Sequence, residues 1–62
     1  MQKELVGKIV KIYKDIETKR YYEGDGRIEE IIKQISNNLY FCNISFEDDY
    51  FSTIIDRNDI IY

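Results

Sequence analysis

Hydrophobic and polar residues alternate most regularly between residues 39 and 46. Tyr40, Cys42, Ile44 and Phe46 are separated by single residues, and the positions between them become polar toward the end of the segment. A period of two is typical of a β-strand that turns one face to a core. The pattern therefore predicts a strand over 39–46, with those four side chains directed inward.

The remainder of the chain predicts a hairpin followed by a short return. The acidic run 47–49 is typical of a turn, and 50–56 then reads as the returning strand. Residues 57–59 are expected to form a single helical turn, and 60–62 a last short strand. If this strand pairs with the first one, it closes the sheet and removes an exposed edge.

The first element is open to two interpretations. Val6, Val10 and Ile12 fit one face of a strand, but apolar residues also recur at helical spacing from residue 5 to residue 16. Branched side chains are dense here and Gly7 lies among them, and both features weaken a helix. We expect a strand over 5–13, followed by a polar loop over 14–20.

The segment from residue 21 to residue 36 contains two of the three glycines of the chain. Gly24 and Gly26 flank an aspartate where apolar residues stop and resume, which predicts a bulge or a tight corner. A strand over 27–33 and a turn at 37–38 follow. The alternative is a helix, because four isoleucines have the spacing i, i+3, i+4, i+7: Ile28, Ile31, Ile32 and Ile35.

These elements predict one mostly β domain over residues 1–62, with about five antiparallel strands. The alternative is an α+β fold with one or two short helices packed on a C-terminal β-hairpin. Both interpretations keep the hairpin of the second half and differ over residues 1–20 and 27–36.

Three segments carry a resemblance to a known group of folds. Residues 24–28 read Gly-Asp-Gly-Arg-Ile, residues 44–48 read Ile-Ser-Phe-Glu-Asp, and residues 56–61 place one helical turn before a short strand. This arrangement resembles the SH3-like and Tudor-like small barrels, and is similar to the Tudor-like domain of UvrD-type helicases and the RNA-polymerase-interacting domain of the CarD type. The resemblance implies a domain that binds proteins, modified side chains or nucleic acid and has no catalytic residues.

Length and composition limit how the domain is stabilised. A chain of 62 residues buries only about 60% of the surface that its unfolded form exposes. Its single cysteine allows no internal disulfide, and without histidine there is no zinc ligand set. We therefore expect additional burial against a larger protein partner or in a homo-oligomer.

The sequence also gives expectations about the location and origin of the protein. The N-terminus lacks the apolar run of a secretory signal, and no stretch has the roughly 20 apolar residues of a membrane span. We expect a cytoplasmic protein that does not bind membranes. The abundance of Ile, Lys, Asn and Tyr is typical of an AT-rich genome, such as that of a low-GC bacterium, its phage or a mobile element.

Charge is distributed unevenly along the chain. Residues 1–20 carry six Lys/Arg against three acids, whereas residues 21–62 carry three against nine, for a net charge of −3. The isoelectric point near 4.8 argues against a duplex-binding domain, which normally has a basic stripe. The nucleic-acid alternative uses the basic N-terminal third, namely Lys8, Lys11, Lys14, Lys19 and Arg20.

The residue inventory argues against catalysis. Histidine, the commonest general base, is absent, and Cys42 lies in the middle of a predicted strand, where an inert buried thiol is expected. The acids at 47–49 lack the spacing of a calcium loop and read as a solvated turn. We predict a protein that is not an enzyme, with no metal and no cofactor.

The most economical function is a protein-interaction module. Aromatic residues are enriched at binding hot spots, and a compact acidic face can occupy the basic nucleic-acid channel of a host enzyme. We expect an inhibitor or modulator of this kind. The predicted partner-binding residues are Tyr21, Tyr22, Glu47, Asp48, Asp49, Tyr50, Asp56 and Asp59. An aromatic cage for a methylated ammonium group would draw on Tyr21, Tyr22, Tyr40, Tyr50 and Phe51.

Overall fold

The computed structural model describes residues 2–61 and contains one sheet of five antiparallel strands in the order β4-β3-β2-β1-β5. The strands are β1 Ile9–Asp15, β2 Arg20–Gln34, β3 Leu39–Phe46, β4 Asp49–Asp56 and β5 Ile60–Ile61. Two 3₁₀ helices, Gln2–Leu5 and Arg57–Asp59, flank the sheet, and there is no α-helix between residues 2 and 61. The predicted mostly β fold of about five antiparallel strands is confirmed.

Strand β2 has 15 residues and pairs with two neighbours in succession. Its first half pairs with β1 and its second half with β3, and Arg27 lies opposite both Ile9 and Ser45. The predicted corner lies in the first half, where Gly24 has a φ of 139°. Gly26 is needed for a different reason: a Cβ there would lie 2.7 Å from Cγ2 of Ile44. The glycines let the strand bend closely over the core.

Two β-bulges explain why β2 resembles a helix in sequence. The register with β3 shifts between Ile28 and Glu30 and again between Ile31 and Lys33. The first bulge inserts a residue, so Ile28 and Ile31 lie opposite the inward-facing Ile44 and Cys42 of β3 although they are three positions apart. Ile28 is buried and Ile31 is half-buried, whereas Ile32 and Ile35 are exposed. The helical alternative is therefore wrong.

The N-terminal segment differs from the prediction. The strand begins at Ile9 and not at residue 5, because Leu5 ends a 3₁₀ helix and a turn follows. Gly7 has a φ of 91° and donates its N–H to the carbonyl of Ile28. This turn exchanges the expected sides: Leu5 is buried, while Val6, predicted to share a face with Val10, is 45% exposed.

The connections are shorter than predicted. Lys14 and Asp15 belong to β1 and Arg20 begins β2, so the turn covers only residues 16–19. The exception is the connection after β2, which covers residues 35–38 and is longer than the turn predicted at 37–38. Between β3 and β4, Phe46 pairs with Asp49 across a two-residue turn. Backbone pairing thus extends further into the polar segments than side-chain polarity indicates.

Strand β3 supplies the centre of the core, as predicted. Tyr40, Cys42 and Ile44 are almost completely buried, and Phe46 packs against the core cluster from its rim. The first 3₁₀ helix and the other four strands supply the side chains that complete the cluster: Leu5, Val10, Ile12, Ile28, Ile55 and Ile60.

The short last strand pairs with the first, which confirms the predicted return. Ile60 lies opposite Val10 and Ile61 opposite Ile9. Tyr62, predicted to belong to this strand, lies outside the described residues. The expectation that this pairing removes the exposed edge is wrong, because β5 adds to β1, and among the strands of residues 2–61 β4 pairs only with β3. The sheet keeps β4 as a free edge.

Gly26→Ala tests the close contact that allows β2 to bend. The added methyl would press on Ile44 and on Cγ1 of Ile12, which lies 3.1 Å away, so we expect a loss of about 2–3 kcal/mol in the free energy of unfolding. Urea denaturation measures this loss. Thr18→Ala, in an exposed turn, is the control and should change the value by less than about 0.5 kcal/mol. A loss at Gly26 no larger than the control would contradict the contact.

Candidate functional site

The free edge of β4 presents backbone groups with no partner in the described chain. A two-residue turn closes with a hydrogen-bonded pair, Phe46 and Asp49, and hydrogen-bonded pairs then alternate along an antiparallel ladder. The backbone N–H and C=O groups of Tyr50, Ser52 and Ile54 therefore point away from β3. No described residue forms a backbone hydrogen bond with these groups.

The side chains of the same three residues lie on the outer face of the sheet. Tyr50 is 71% exposed and Ile54 is 36% exposed. Between them, Ser52 Oγ donates to Asn43 Oδ1 at 2.6 Å, and Asn43 Nδ2 donates to Glu30 Oε1 at 2.8 Å. This chain of hydrogen bonds crosses three strands and holds the outer face in one arrangement between the two exposed apolar side chains.

An acidic turn lies at one end of the free edge. Glu47, Asp48 and Asp49 are exposed, and none of them forms an ion pair with another described residue. Glu47 has a φ of 56°, a conformation that costs a non-glycine residue about 1–2 kcal/mol. The structure thus keeps three uncompensated carboxylates together at the tip of the β3–β4 hairpin.

A groove of about 470 Å³ lies at the other end of the free edge. It runs between the β1–β2 turn and the last residues of β4. Ile16, Leu39 and Ile54 form apolar parts of its wall, and Glu17 and Asp56 contribute carboxylates. The groove offers an apolar surface directly beside unpaired backbone groups.

An ion-pair cluster fixes the turn that forms one wall of this groove. Lys19 Nζ lies 3.3 Å from Asp56 Oδ2 and 3.2 Å from Asp59 Oδ1. Asp59 is only 7% exposed, and its Oδ2 has no hydrogen-bond partner in the described chain. Asp56 also caps the second 3₁₀ helix by accepting the N–H of Asn58. The hydrogen bond to Asp59, followed by that to Asp56, raises the pKa of Lys19.

The predicted partner-binding residues therefore separate into groups. Glu47, Asp48, Asp49 and Tyr50 form one continuous exposed surface at the hairpin tip. Asp56 and Asp59 lie at the opposite end of β4, where they hold Lys19, and the burial of Asp59 leaves it little surface for a partner. Sequence reasoning missed this cluster, although Asp56 two residues before Asn58 is a recognisable helix cap.

Tyr21 and Tyr22 lie on the β1–β2 ribbon. Both are exposed; Tyr21 has a φ of 61°, and the Tyr22 ring centroid lies 5.6 Å from that of Tyr13. The Tyr22 hydroxyl donates to Asp25, which raises the pKa of Tyr22.

The five candidates for an aromatic cage are divided between the surface and the core. Tyr40 is buried, and Phe51 packs edge-on against Phe46 at the rim of the core. Tyr21, Tyr22 and Tyr50 are exposed. A cage that surrounds one ligand with all five rings is therefore not formed.

The basic residues of the nucleic-acid alternative have acidic neighbours. Lys11 lies opposite Asp25, Arg20 opposite Asp15, and Lys19 contacts two carboxylates. Lys14 is exposed, and Lys8 is half-buried beside the N-terminal turn. These pairings weaken the positive potential that a polyanion would require.

Comparison with known proteins adds no further assignment: no family model, no curated protein and no solved structure matches the chain. In the part of the chain that the structure describes, no helix has the length and apolar character needed to cross a membrane.

Lys19→Met tests the ion-pair cluster. Methionine has a similar length and meets the same backbone cost at the positive φ of this position, so the variant isolates the charge. Because the buried Asp59 carboxylate loses the one side-chain donor that the described residues give it, we expect the free energy of unfolding to fall by about 1–3 kcal/mol in urea denaturation. Lys14→Met, at an exposed position, should change it by less than about 0.5 kcal/mol.

The pH dependence gives a second measurement of the same cluster. The folded-state pKa of Lys19 is raised above the ordinary 10.5, so its contribution is complete below pH 10.5 and is lost as the pH rises through the folded-state pKa. The difference in stability between wild type and Lys19→Met should shrink over that range. A difference that stays constant to high alkaline pH would contradict this interpretation.

Cys42 should be chemically inert in the folded protein. Burial raises the pKa of its thiol to about 11, so little thiolate is present at pH 8. We expect a disulfide reagent such as DTNB to react at least roughly 100-fold more slowly with native protein than with urea-unfolded protein at that pH. Native labelling within tenfold of the unfolded rate would show that the thiol is accessible.

Proposed function

We propose that this chain is a protein-interaction module that carries out no reaction itself. The observation that carries the proposal is the free edge of β4, where exposed Tyr50 and Ile54 accompany unpaired backbone groups beside an acidic turn. Natural proteins usually protect such an edge, and an unprotected edge is a template for pairing with another chain.

The chemistry of the side chains supports binding more than catalysis. The sequence contains no histidine, and burial keeps the thiol of Cys42 protonated at neutral pH. The acids of the hairpin tip are exposed and form no ion pair with a described residue, so their charge is available to an external partner. Complementary charge of this kind increases the rate of association and selects among partners.

We also propose that the sheet belongs to the SH3-like and Tudor-like small barrels. The long bent β2, which serves two neighbours, and the 3₁₀ turn before a two-residue β5 support this assignment. Domains that share such a fold bind their partners through different surfaces, so the fold alone does not identify the partner.

The partner that best fits the acidic surface is a protein with a basic groove. We propose a host nucleic-acid enzyme, which the module would inhibit or modulate by occupying the channel that normally holds phosphates. The abundance of Ile, Lys, Asn and Tyr is typical of an AT-rich genome and is consistent with a phage or mobile-element origin and a low-GC host.

A charge-neutral tip tests the proposed function. Tagged wild type and the double variant Asp48→Asn, Asp49→Asn are incubated with nuclease-treated lysate of the host cells, and bound proteins are quantified by mass spectrometry. We expect one partner near stoichiometric amounts with wild type, and roughly tenfold less with the variant.

The control removes two acids elsewhere. Glu4→Gln, Glu23→Gln changes net charge equally at exposed positions that the structure places outside the hairpin tip, and it should capture the partner as wild type does. Recovery of no stoichiometric protein would contradict the proposal. A partner that is held only when nuclease is omitted would favour binding to nucleic acid, and equal losses in both variants would show that the tip has no special role.

A further inference from the structure

We infer that the free edge of β4 binds an extended peptide segment of the partner as a sixth strand, and that this segment carries Lys or Arg at both ends. The inference rests on the proposed function and specifies the partner's chemistry. β-Strand addition uses backbone hydrogen bonds for affinity and side-chain pockets for specificity, and β4 offers both.

The backbone of β4 is unusually regular for this sheet. The β1–β2 and β2–β3 ladders contain register shifts, whereas all eight pairs of β3 with β4 are continuous from Leu39–Asp56 to Phe46–Asp49. Bulges, prolines and lysines are the usual protection of an edge strand, and β4 contains none of them. The edge from Asp49 to Ile54, before the contact of Lys19 with Asp56, spans about 20 Å and can pair with an extended segment of about six residues.

The groove supplies a side-chain site in the correct position. Ile54 is one of the residues whose backbone groups point outward, and its side chain forms the groove wall with Ile16 and Leu39. A peptide paired with Ile54 would therefore place an alternate side chain against these apolar residues. A branched aliphatic side chain fits an opening of about 470 Å³ that also contains polar groups at its margin.

Charge decides between a partner peptide and a second copy of this chain. Asp48 and Asp49 lie at the start of the edge, and the groove at its end is lined by Glu17, Asp56 and Lys19, whose formal charges sum to −1. Two copies paired antiparallel through β4 would bring the acidic tip of each toward the acidic end of the other, and like charges across a contact are unfavourable. A segment with basic residues at both ends meets opposite charge at each.

The probe is a synthetic peptide of nine residues. It has two lysines at each end, and valine and threonine alternate over the five residues between them. Hydrogen exchange of individual amides, followed by NMR, reports where it pairs. The amides of Tyr50, Ser52 and Ile54 should exchange rapidly in the free protein and at least tenfold more slowly with saturating peptide. The amides of Phe51, Thr53 and Ile55, which face β3, serve as internal references.

Two matched variants locate the site. Ile54→Lys places a charge on the free edge, and Ile61→Lys makes the same change at a similarly exposed isoleucine on β5. We expect Ile54→Lys to weaken peptide binding at least tenfold and Ile61→Lys to leave it within twofold. Near-wild-type exchange of the core amides shows that each variant is folded.

Several outcomes would overturn the inference. These are equal loss in both variants, protection that appears elsewhere than Tyr50, Ser52 and Ile54, and unchanged binding of a peptide whose alternate amides are N-methylated to prevent pairing. Protection of the same amides without peptide, together with a concentration-dependent dimer in sedimentation, would identify a second copy as the occupant. If the tip variant still loses its lysate partner while the peptide fails to pair, the proposed function stands and this inference does not.

Discussion

The contact between Gly26 and Ile44 is the constraint on which the sheet depends. β2 must pair with β1 along one half and with β3 along the other, and it can do so only by bending over the core. At the bend, any Cβ on residue 26 would overlap the Ile44 side chain, so the absence of a side chain lets the two strands enclose the same apolar cluster. The buried positions of β1 and β3 then meet across β2, and a chain of 62 residues obtains one continuous core.

The same geometry explains why one edge of the sheet stays free. The bend carries β1 and its short neighbour β5 to one side and the regular β3–β4 hairpin to the other. Within the described residues, β5 consists of Ile60 and Ile61 and pairs with β1, so no described strand lies on the outer side of β4. Instead, Lys19 reaches from the β1–β2 turn to Asp56 and Asp59, and ties the two sides together at one end of β4. Closure by side-chain charge instead of by a backbone ladder leaves a groove, and the groove lies beside the unpaired groups.

Structural roles and proposed binding roles are therefore divided among residues of similar chemistry. Asp59 and Asp48 are both aspartates in the acidic second half of the chain, yet one is buried against Lys19 and the other is exposed at a hairpin tip. A buried carboxylate needs its cation to offset lost hydration, whereas an exposed carboxylate keeps its hydration until a partner arrives. The tyrosines are divided similarly, since Tyr40 is buried in the core and Tyr50 is exposed on the outer face of the sheet. The proposed interaction surface consists of acidic and aromatic side chains that remain exposed in the folded chain.

The elements whose side chains follow one simple period could be predicted from the chain alone. The alternation over β3, the acidic turn, the return of β4, the single helical turn and the last short strand are all local patterns, and they could be predicted because each depends on neighbours in the chain. The glycine corner of β2 could also be predicted, since glycine is the residue favoured where the backbone must bend or approach closely.

Features that depend on contact between two distant segments could not be predicted and became evident in the folded chain. The bulges of β2 place Ile28 and Ile31 on the same side at a spacing of three, which in sequence cannot be distinguished from a helix until β3 is present to set the register. Burial of Leu5 in place of Val6 depends on the hydrogen bond from Gly7 to Ile28, and the Lys19 cluster joins residues 37 and 40 positions apart. The free edge is likewise a property of strand order: residues 49–56 look the same in sequence whether or not another strand lies beside them.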